Sequence, residues 1–254
     1  MCVAAGCTDL FPATQDRGLP GAVLDLTGVE GLNGITRLPQ GWRLGATTTW
    51  HQIADAELPP GFAALQQAAR QVGSVQIQNA GTIAGNLCHA SPAADGVPPL
   101  LAMGARVQLA SGRVQRELAL CDFLIGPRET ALAPDEMMTA IVIPAQHAQG
   151  RSAFEKLGAR RHLVISIAMV AVRLVVQGGQ ITRAALAVGA CSPVAQRLIA
   201  QEQALIGVPV AQAVAAIDPA LIPLSPIDDL RSDAAYRRQA VPELLRRAIK
   251  ACLT

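Results

Sequence analysis

Two short stretches of this 254-residue chain combine small residues, glycine, and hydroxyl or amide side chains in the way an anion cradle requires. The first is Ala4-Ala5-Gly6-Cys7-Thr8-Asp9-Leu10 and the second is Asn79-Ala80-Gly81-Thr82-Ile83-Ala84-Gly85-Asn86. Small side chains let backbone N–H groups come close to a phosphate, and glycine opens the dihedrals that aim them. Thr8, Thr82 and Asn86 add side-chain donors. Two such loops could hold a pyrophosphate from both sides; taken singly, each could be an ordinary turn. Neither has the GxGxxG or Walker spacing, which counts against Rossmann and P-loop readings. Few basic residues stand in the loops, so backbone dipoles must supply most of the attraction.

Other chemistries find less support. His89 lies two residues before Ser91, but sequence neighbours rarely share a working geometry, and no GxSxG elbow is present. His51, His147 and His162 read as surface or edge residues. The six cysteines, at 2, 7, 88, 121, 191 and 252, form no CxxC and no finger spacing. They read as reduced, mostly buried thiols and offer no iron–sulfur or zinc ligand set. Charged residues are 16% and the formal charge is +2, without a basic run, and aromatics are only 3%. A nucleic-acid partner is therefore not expected. The pairs Arg160–Arg161, Arg237–Arg238 and Arg246–Arg247 read as solvated surface. The longest near-apolar stretch, 164–172, is far short of the roughly 20 residues a membrane helix needs. With no leader pattern either, a cytoplasmic protein is expected.

The elements that must position these loops can be read in outline. Val23–Leu26 and Trp42–Gly45 read as strands, and residues 61–72 as a helix after Pro59–Pro60. Residues 73–99 hold little periodic pattern and several loop signals. A short helix near Pro99–Met103, a hairpin through Ser111–Gly112 and a strand Met138–Ile143 stopped by Pro144 follow. The polar stretch 145–151 marks a domain boundary. Beyond it come a strand at Phe154–Leu157 and an alternating strand over 167–176, with Val170, Val172, Leu174 and Val176 on one face. A Gly178–Gly179 hairpin turn leads into Ile181–Val188. Residues 195–206 read as a helix. Val241, Leu244, Leu245, Ala248 and Cys252 mark an amphipathic C-terminal helix. Strands followed by helices give an α+β domain packed on one sheet face.

The run Gln76-Ile77-Gln78-Asn79-Ala80-Gly81-Thr82-Ile83-Ala84-Gly85-Asn86, followed by Ala90-Ser91-Pro92-Ala93-Ala94-Asp95, resembles the FAD subunit of molybdenum hydroxylases. This is the family of the carbon monoxide dehydrogenase medium chain and the xanthine dehydrogenase flavin domain. Weaker likenesses extend it along the chain. They are Leu44-Gly45-Ala46-Thr47-Thr48-Thr49, Phe154-Glu155-Lys156-Leu157-Gly158-Ala159-Arg160-Arg161, and Asp228-Asp229-Leu230-Arg231 through Tyr236-Arg237-Arg238.

The resemblance implies an α+β fold: a two-lobed FAD-binding domain of PCMH/VAO-like type over 1–147, then a small α+β domain over 151–254 with a three-stranded sheet and helices. Ala5, Gly6, Cys7, Thr8, Asp9 and Leu10 would form the first pyrophosphate loop. Thr82, Ile83, Ala84, Gly85 and Asn86 would form the second. Asp95 would lie at the flavin-nucleotide site, Val72 and Met138 would pack on the cofactor, and Lys156 would stand near the isoalloxazine ring. Set beside those roles, Asp95 could be an N-cap, Lys156 a surface lysine, and Val72 and Met138 plain core. The sequence departs from the family in two places. Cys7 stands where glycine is usual, and the first loop begins almost at Met1, so the first lobe is short or the true start lies upstream.

The activity implied is electron relay. FAD would take electrons from the [2Fe-2S] clusters of one partner subunit, fed by a molybdopterin subunit, and pass them to an acceptor such as NAD. The assembly would be a dimer of heterotrimers. No residue of this chain is then catalytic, and no metal site is expected. A flavin-free scaffold of the same complex and a stand-alone FAD oxidoreductase are the alternatives.

Overall fold

The computed structural model describes residues 2–14, 18, 19, 21–161 and 163–254; His162 lies outside them. The chain opens with β1 (Cys2–Ala4), α1 (Leu10–Thr14) and β2 (Val23–Asp25), and β1 pairs with β2 in parallel. Next come β3 (Ile35–Leu38), β4 (Gly41–Gly45) and α2 (Trp50–Asp55). A 3-10 turn at Pro60–Phe62 leads into α3 (Ala63–Ala69). Pro60 suits that start, since its missing N–H is not needed there.

The expectation of loop over 73–99 is corrected by two helices, α4 (Val75–Ala80) and α5 (Ile83–His89), while the expected helix near Pro99–Met103 is α6 (Val97–Ala102), begun two residues earlier. Each is less than two turns long, too short to display a hydrophobic period. Two have side-chain caps: Ser74 accepts from the Ile77 N–H, and Thr82 accepts from the Gly85 N–H. β5 (Arg106–Ala110) and β6 (Gln115–Ala119) form the expected hairpin, then α7 (Leu120–Phe123), β7 (Leu124–Gly126), β8 (Glu129–Thr130) and β9 (Met137–Pro144) follow. Five strands form one antiparallel sheet in the order β3-β4-β9-β5-β6.

The second part is a four-stranded antiparallel sheet of β10 (Arg151–Leu157), β11 (Ala168–Gln177), β12 (Gln180–Gly189) and β13 (Gln196–Arg197), with α8 (Ile199–Leu205) and α9 (Ala234–Leu253). The three long strands are those expected. Residues 195–198 were expected in a helix; Gln196 and Arg197 instead pair with Val188 and Ala187 as a fourth, edge strand. Gly178 and Gly179 both take positive φ (57° and 77°), the turn that suits a two-residue hairpin.

Both faces of this sheet are covered. Val170, Val172 and Leu174 pack with Val241, Leu244, Leu245, Ala248 and Ile249 of α9. Met169, Ala171, Ala185 and Ala187 join the core of the first part through α6. Polar contacts tie the parts as well. Ser152 accepts from the Ala64 N–H at 2.9 Å and donates to the Gly61 carbonyl at 2.9 Å, and Gln67 accepts from the Phe154 N–H at 2.7 Å. Arg237, expected at the surface, is buried. It donates to the carbonyls of Ile167 and Ala190 and to Asp229, pinning α9 to the strand ends.

Candidate functional site

The two glycine-bearing loops face each other. The first leaves β1, and the second joins α4 to α5. Gly6 lies against the second loop so closely that a Cβ there would stand 2.0 Å from the Ala80 carbonyl oxygen. Trp50, fully buried, fills the space behind: a Cβ on Gly96 would stand 2.4 Å from its ring. The segment after β4 anchors α5, since Ala46 O accepts from the Ala84 N–H (3.1 Å) and Thr48 O from the Ile83 N–H (2.9 Å). With Thr82 taking the Gly85 N–H, the first turn of α5 is already satisfied from within the protein.

The first loop is different. Among the described residues, no acceptor meets the backbone N–H of Gly6, Cys7, Thr8, Asp9 or Leu10. Five successive free donors make the kind of concavity that binds an anion. Cys7 holds φ +55°, in the left-handed region, as a residue in a glycine position must. Cys7→Gly is therefore expected to raise the stability of the cofactor-free chain by about 0.5–1 kcal/mol. Relief of left-handed strain, about 1–2 kcal/mol, outweighs the freedom glycine adds to the unfolded chain, about 0.5–1 kcal/mol. A higher urea midpoint at unchanged slope is the check.

These loops border a slot of about 450 Å³. It is lined by Ala5, Gly6, Cys7, Thr8, Asp9 and Leu10, by Thr82, Ala84, Gly85 and Asn86, and by Val72 and Met138. Twelve of the fifteen expected residues thus meet at one place. Ile83 does not line it: its side chain is fully buried and serves as a core anchor for α5. Asp95 and Lys156 do not line it either, but pair with each other. The Lys156 ammonium donates to Asp95 Oδ2 at 2.6 Å and to the Gln71 carbonyl at 3.3 Å, one residue short of Val72. Ser166 Oγ donates to Asp95 Oδ1 at 2.8 Å. Burial pushes the Asp95 carboxyl up, against the pull of the Lys156 ammonium and the Ser166 hydroxyl. Lys156 is thus no surface lysine, and the cap position of α6 falls to Gly96, not Asp95.

The slot also contains residues that sequence reasoning passed over: Thr47, Ile77, Cys88, His89, Arg128 and Glu136. His89 turns to Asp9 and Arg128, while Ser91 Oγ instead accepts from the Ala93 N–H. The Arg116 guanidinium holds the Glu136 carboxyl down at about 2. His147 and His51 lie elsewhere, on Met103 O and Asp55. The cysteines are less buried than expected: Cys191 and Cys252 are buried, Cys88 and Cys121 exposed, and all six are free thiols. Among the described residues, no group of His, Cys, Asp and Glu could hold a metal.

FAD fits what is present. The free amides suit a pyrophosphate. Val72, Ile77 and Met138 give apolar walls, and the volume lies in the range of small-molecule sites. Thr47 Oγ1 and Asn86 Oδ1, both on lining residues, are buried without a hydrogen-bond partner among the described residues, which a polar ligand would supply.

Comparison with known proteins agrees. The family described as FAD binding domain in molybdopterin dehydrogenase matches residues 1–146, and the CO dehydrogenase flavoprotein C-terminal domain matches 152–252. The nicotinate dehydrogenase FAD-subunit of Eubacterium barkeri is 39% identical over 65% of this chain and 57% of its own length. The nicotine 6-hydroxylase medium subunit of Paenarthrobacter nicotinovorans is 32% identical over 97% of this chain and 88% of its own. A chain of carbon monoxide dehydrogenase from Hydrogenophaga pseudoflava superposes with a TM-score of 0.86 at 28% identity, covering 99% of this chain and 88% of that one. The chain belongs to the family of FAD-binding medium subunits of the molybdenum hydroxylases.

Proposed function

We propose that this chain is the electron-relay subunit of a molybdenum hydroxylase complex. It would hold FAD so that electrons from the [2Fe-2S] clusters of one partner subunit, supplied by a molybdopterin subunit, leave for an acceptor such as NAD. The observation that carries the reading is the run of free amides from Gly6 to Leu10, set against the second loop in one slot with apolar walls. FAD, when bound, supplies exchange between one- and two-electron chemistry.

The residues of the chain bind and orient. Gly6, Cys7, Thr8, Asp9 and Leu10 would offer their N–H groups to the pyrophosphate, with Thr82, Ala84, Gly85 and Asn86 closing from the other side. Val72 and Met138 would exclude water. Asp95 would stand at the flavin-nucleotide site and Lys156 near the isoalloxazine ring, the two paired directly and Lys156 held on the Gln71 carbonyl behind Val72. We read residues 1–147 as the cofactor domain and 151–254 as the C-terminal domain, working in a dimer of heterotrimers in the cytoplasm. No described helix is long and apolar enough to cross a membrane.

The purified chain, incubated with FAD and desalted, should keep the oxidised-flavin bands near about 370 and 450 nm. The loaded chain, mixed anaerobically with the reduced iron–sulfur subunit, should then lose the longer band. A colourless protein rejects cofactor binding. A loaded chain that stays yellow against its reduced partner rejects the relay.

A further inference from the structure

Charge in the slot is unevenly spread. Glu136 is matched by Arg116, which leaves Asp9 in the first loop and Arg128 as the charged groups facing the space, with His89 between them. Arg128 is the one Lys or Arg among the described lining residues. A guanidinium has donors only. Its Nη1, 3.3 Å from His89 Nδ1, therefore makes that nitrogen the acceptor. The ring proton then sits on Nε2, 3.4 Å from Asp9 Oδ1. His89 spans from the first loop to Arg128.

The backbone supplies an independent observation. Among the described residues five non-glycine residues have positive φ, and three of them are here: Cys7 (55°), Ala90 (47°) and Arg128 (63°). Ala90 ends α5 directly after His89, and its carbonyl accepts from the Arg128 N–H at 2.9 Å. Arg128 lies in the turn between β7 and β8, so two strained residues lock together to hold one arginine over the slot. Strain kept in this way gathers where a ligand is gripped.

We propose that Arg128 contacts the cofactor, as the cation that meets the anionic portion of FAD, and that His89 is the positioning residue that aims it. This rests on FAD occupying the slot. The pyrophosphate and the reduced flavin ring both carry negative charge, and the choice of flavin separates them.

The test is a set of equilibrium titrations of the whole chain with FAD and with riboflavin, which lacks phosphate, each in the oxidised form and, anaerobically, in the reduced form whose ring carries the negative charge. Arg128→Asn tolerates the left-handed backbone and removes the charge. It should bind FAD about ten- to a hundredfold more weakly, the worth of a charge-assisted hydrogen bond. Arg128→Lys, which keeps the charge, should recover part of the loss. His89→Leu should weaken FAD as well. His89→Gln, whose amide can accept from Arg128 and donate to Asp9, should bind like the parent chain. Circular dichroism should match the parent throughout, and no variant should lower the cofactor-free urea midpoint. A loss confined to FAD assigns Arg128 to the pyrophosphate; an equal loss for riboflavin assigns it to the ring. Arg128→Asn binding FAD as tightly as the parent overturns the proposal. A parent chain that binds no flavin rejects the underlying reading instead.

Discussion

Lys156→Met is expected to lower the unfolding free energy by about 3–5 kcal/mol, because it leaves a buried carboxylate without its counter-charge. The Lys156 and Asp95 side chains are only 6% and 9% exposed, and their contact is 2.6 Å. Burial already raises the Asp95 carboxyl, and the ammonium opposes that rise. With the lysine gone the rise is larger. The sign of the pH dependence follows. An acid whose folded pKa lies above its unfolded value destabilises the fold at pH above both, and that deficit fades as pH falls towards the unfolded value. The gap between variant and parent should thus be widest near neutrality and narrow on acidification. The parent shares this sign in smaller measure, because its Asp95 is also raised by burial but held back by Lys156. Adding Asp95→Asn to Lys156→Met should restore part of the stability, giving a coupling of about 1–3 kcal/mol in a double-mutant cycle. Urea unfolding across pH reads all three results. A constant gap across pH, or additive effects, would reject the pair as the cause.

That pair also shows what could and could not be read beforehand. The resemblance brought Asp95 and Lys156 to the same region, but residues 61 apart do not announce a contact. The first loop was legible because an anion cradle calls for small residues and free backbone, which composition displays. α4 and α5 were not, since six and seven residues span less than two turns, too few for a hydrophobic period to repeat; Ser74 and Thr82, both good caps before small apolar runs, were the signals available. The alternation of Val170, Val172 and Leu174 matched the α9 face of β11, while Val176, read on the same face, is exposed beyond a register shift after Val175. Burial of Met169 and Ala171 on the other face depends on α6, an element placed late and without its packing. Arg237 shows the same limit: a second arginine beside it suggests solvent, and only the strand ends it reaches explain its burial. Arg128 had no local signal. Its reach into the slot comes from a two-strand ribbon laid against the end of α5, a tertiary fact.

Gly6→Ala is expected to have the largest effect on cofactor binding. The added Cβ would lie 2.0 Å from the Ala80 oxygen, 2.7 Å from its carbonyl carbon and 2.8 Å from the Gly81 Cα, all backbone atoms that cannot rotate away. The φ of Gly6 is not positive, so the penalty is steric and not conformational. Relief requires the first loop to shift by an ångström or so off the second. Overpacking of this kind costs about 1–3 kcal/mol of stability. The shift also carries away the amides of Gly6–Leu10 from the place where the second loop can share an anion with them. Losing one or two charge-assisted hydrogen bonds should weaken FAD by about tenfold to several hundredfold. Gly28→Ala is the control, since a Cβ there meets nothing within 4 Å, and it should change neither property. Flavin fluorescence titration and urea unfolding of the two variants decide the matter. If Gly6→Ala loses stability yet binds FAD as the parent does, the seam between the loops belongs to the fold alone and the cradle must lie elsewhere. If FAD binding falls with stability little changed, the loop amides themselves hold the cofactor.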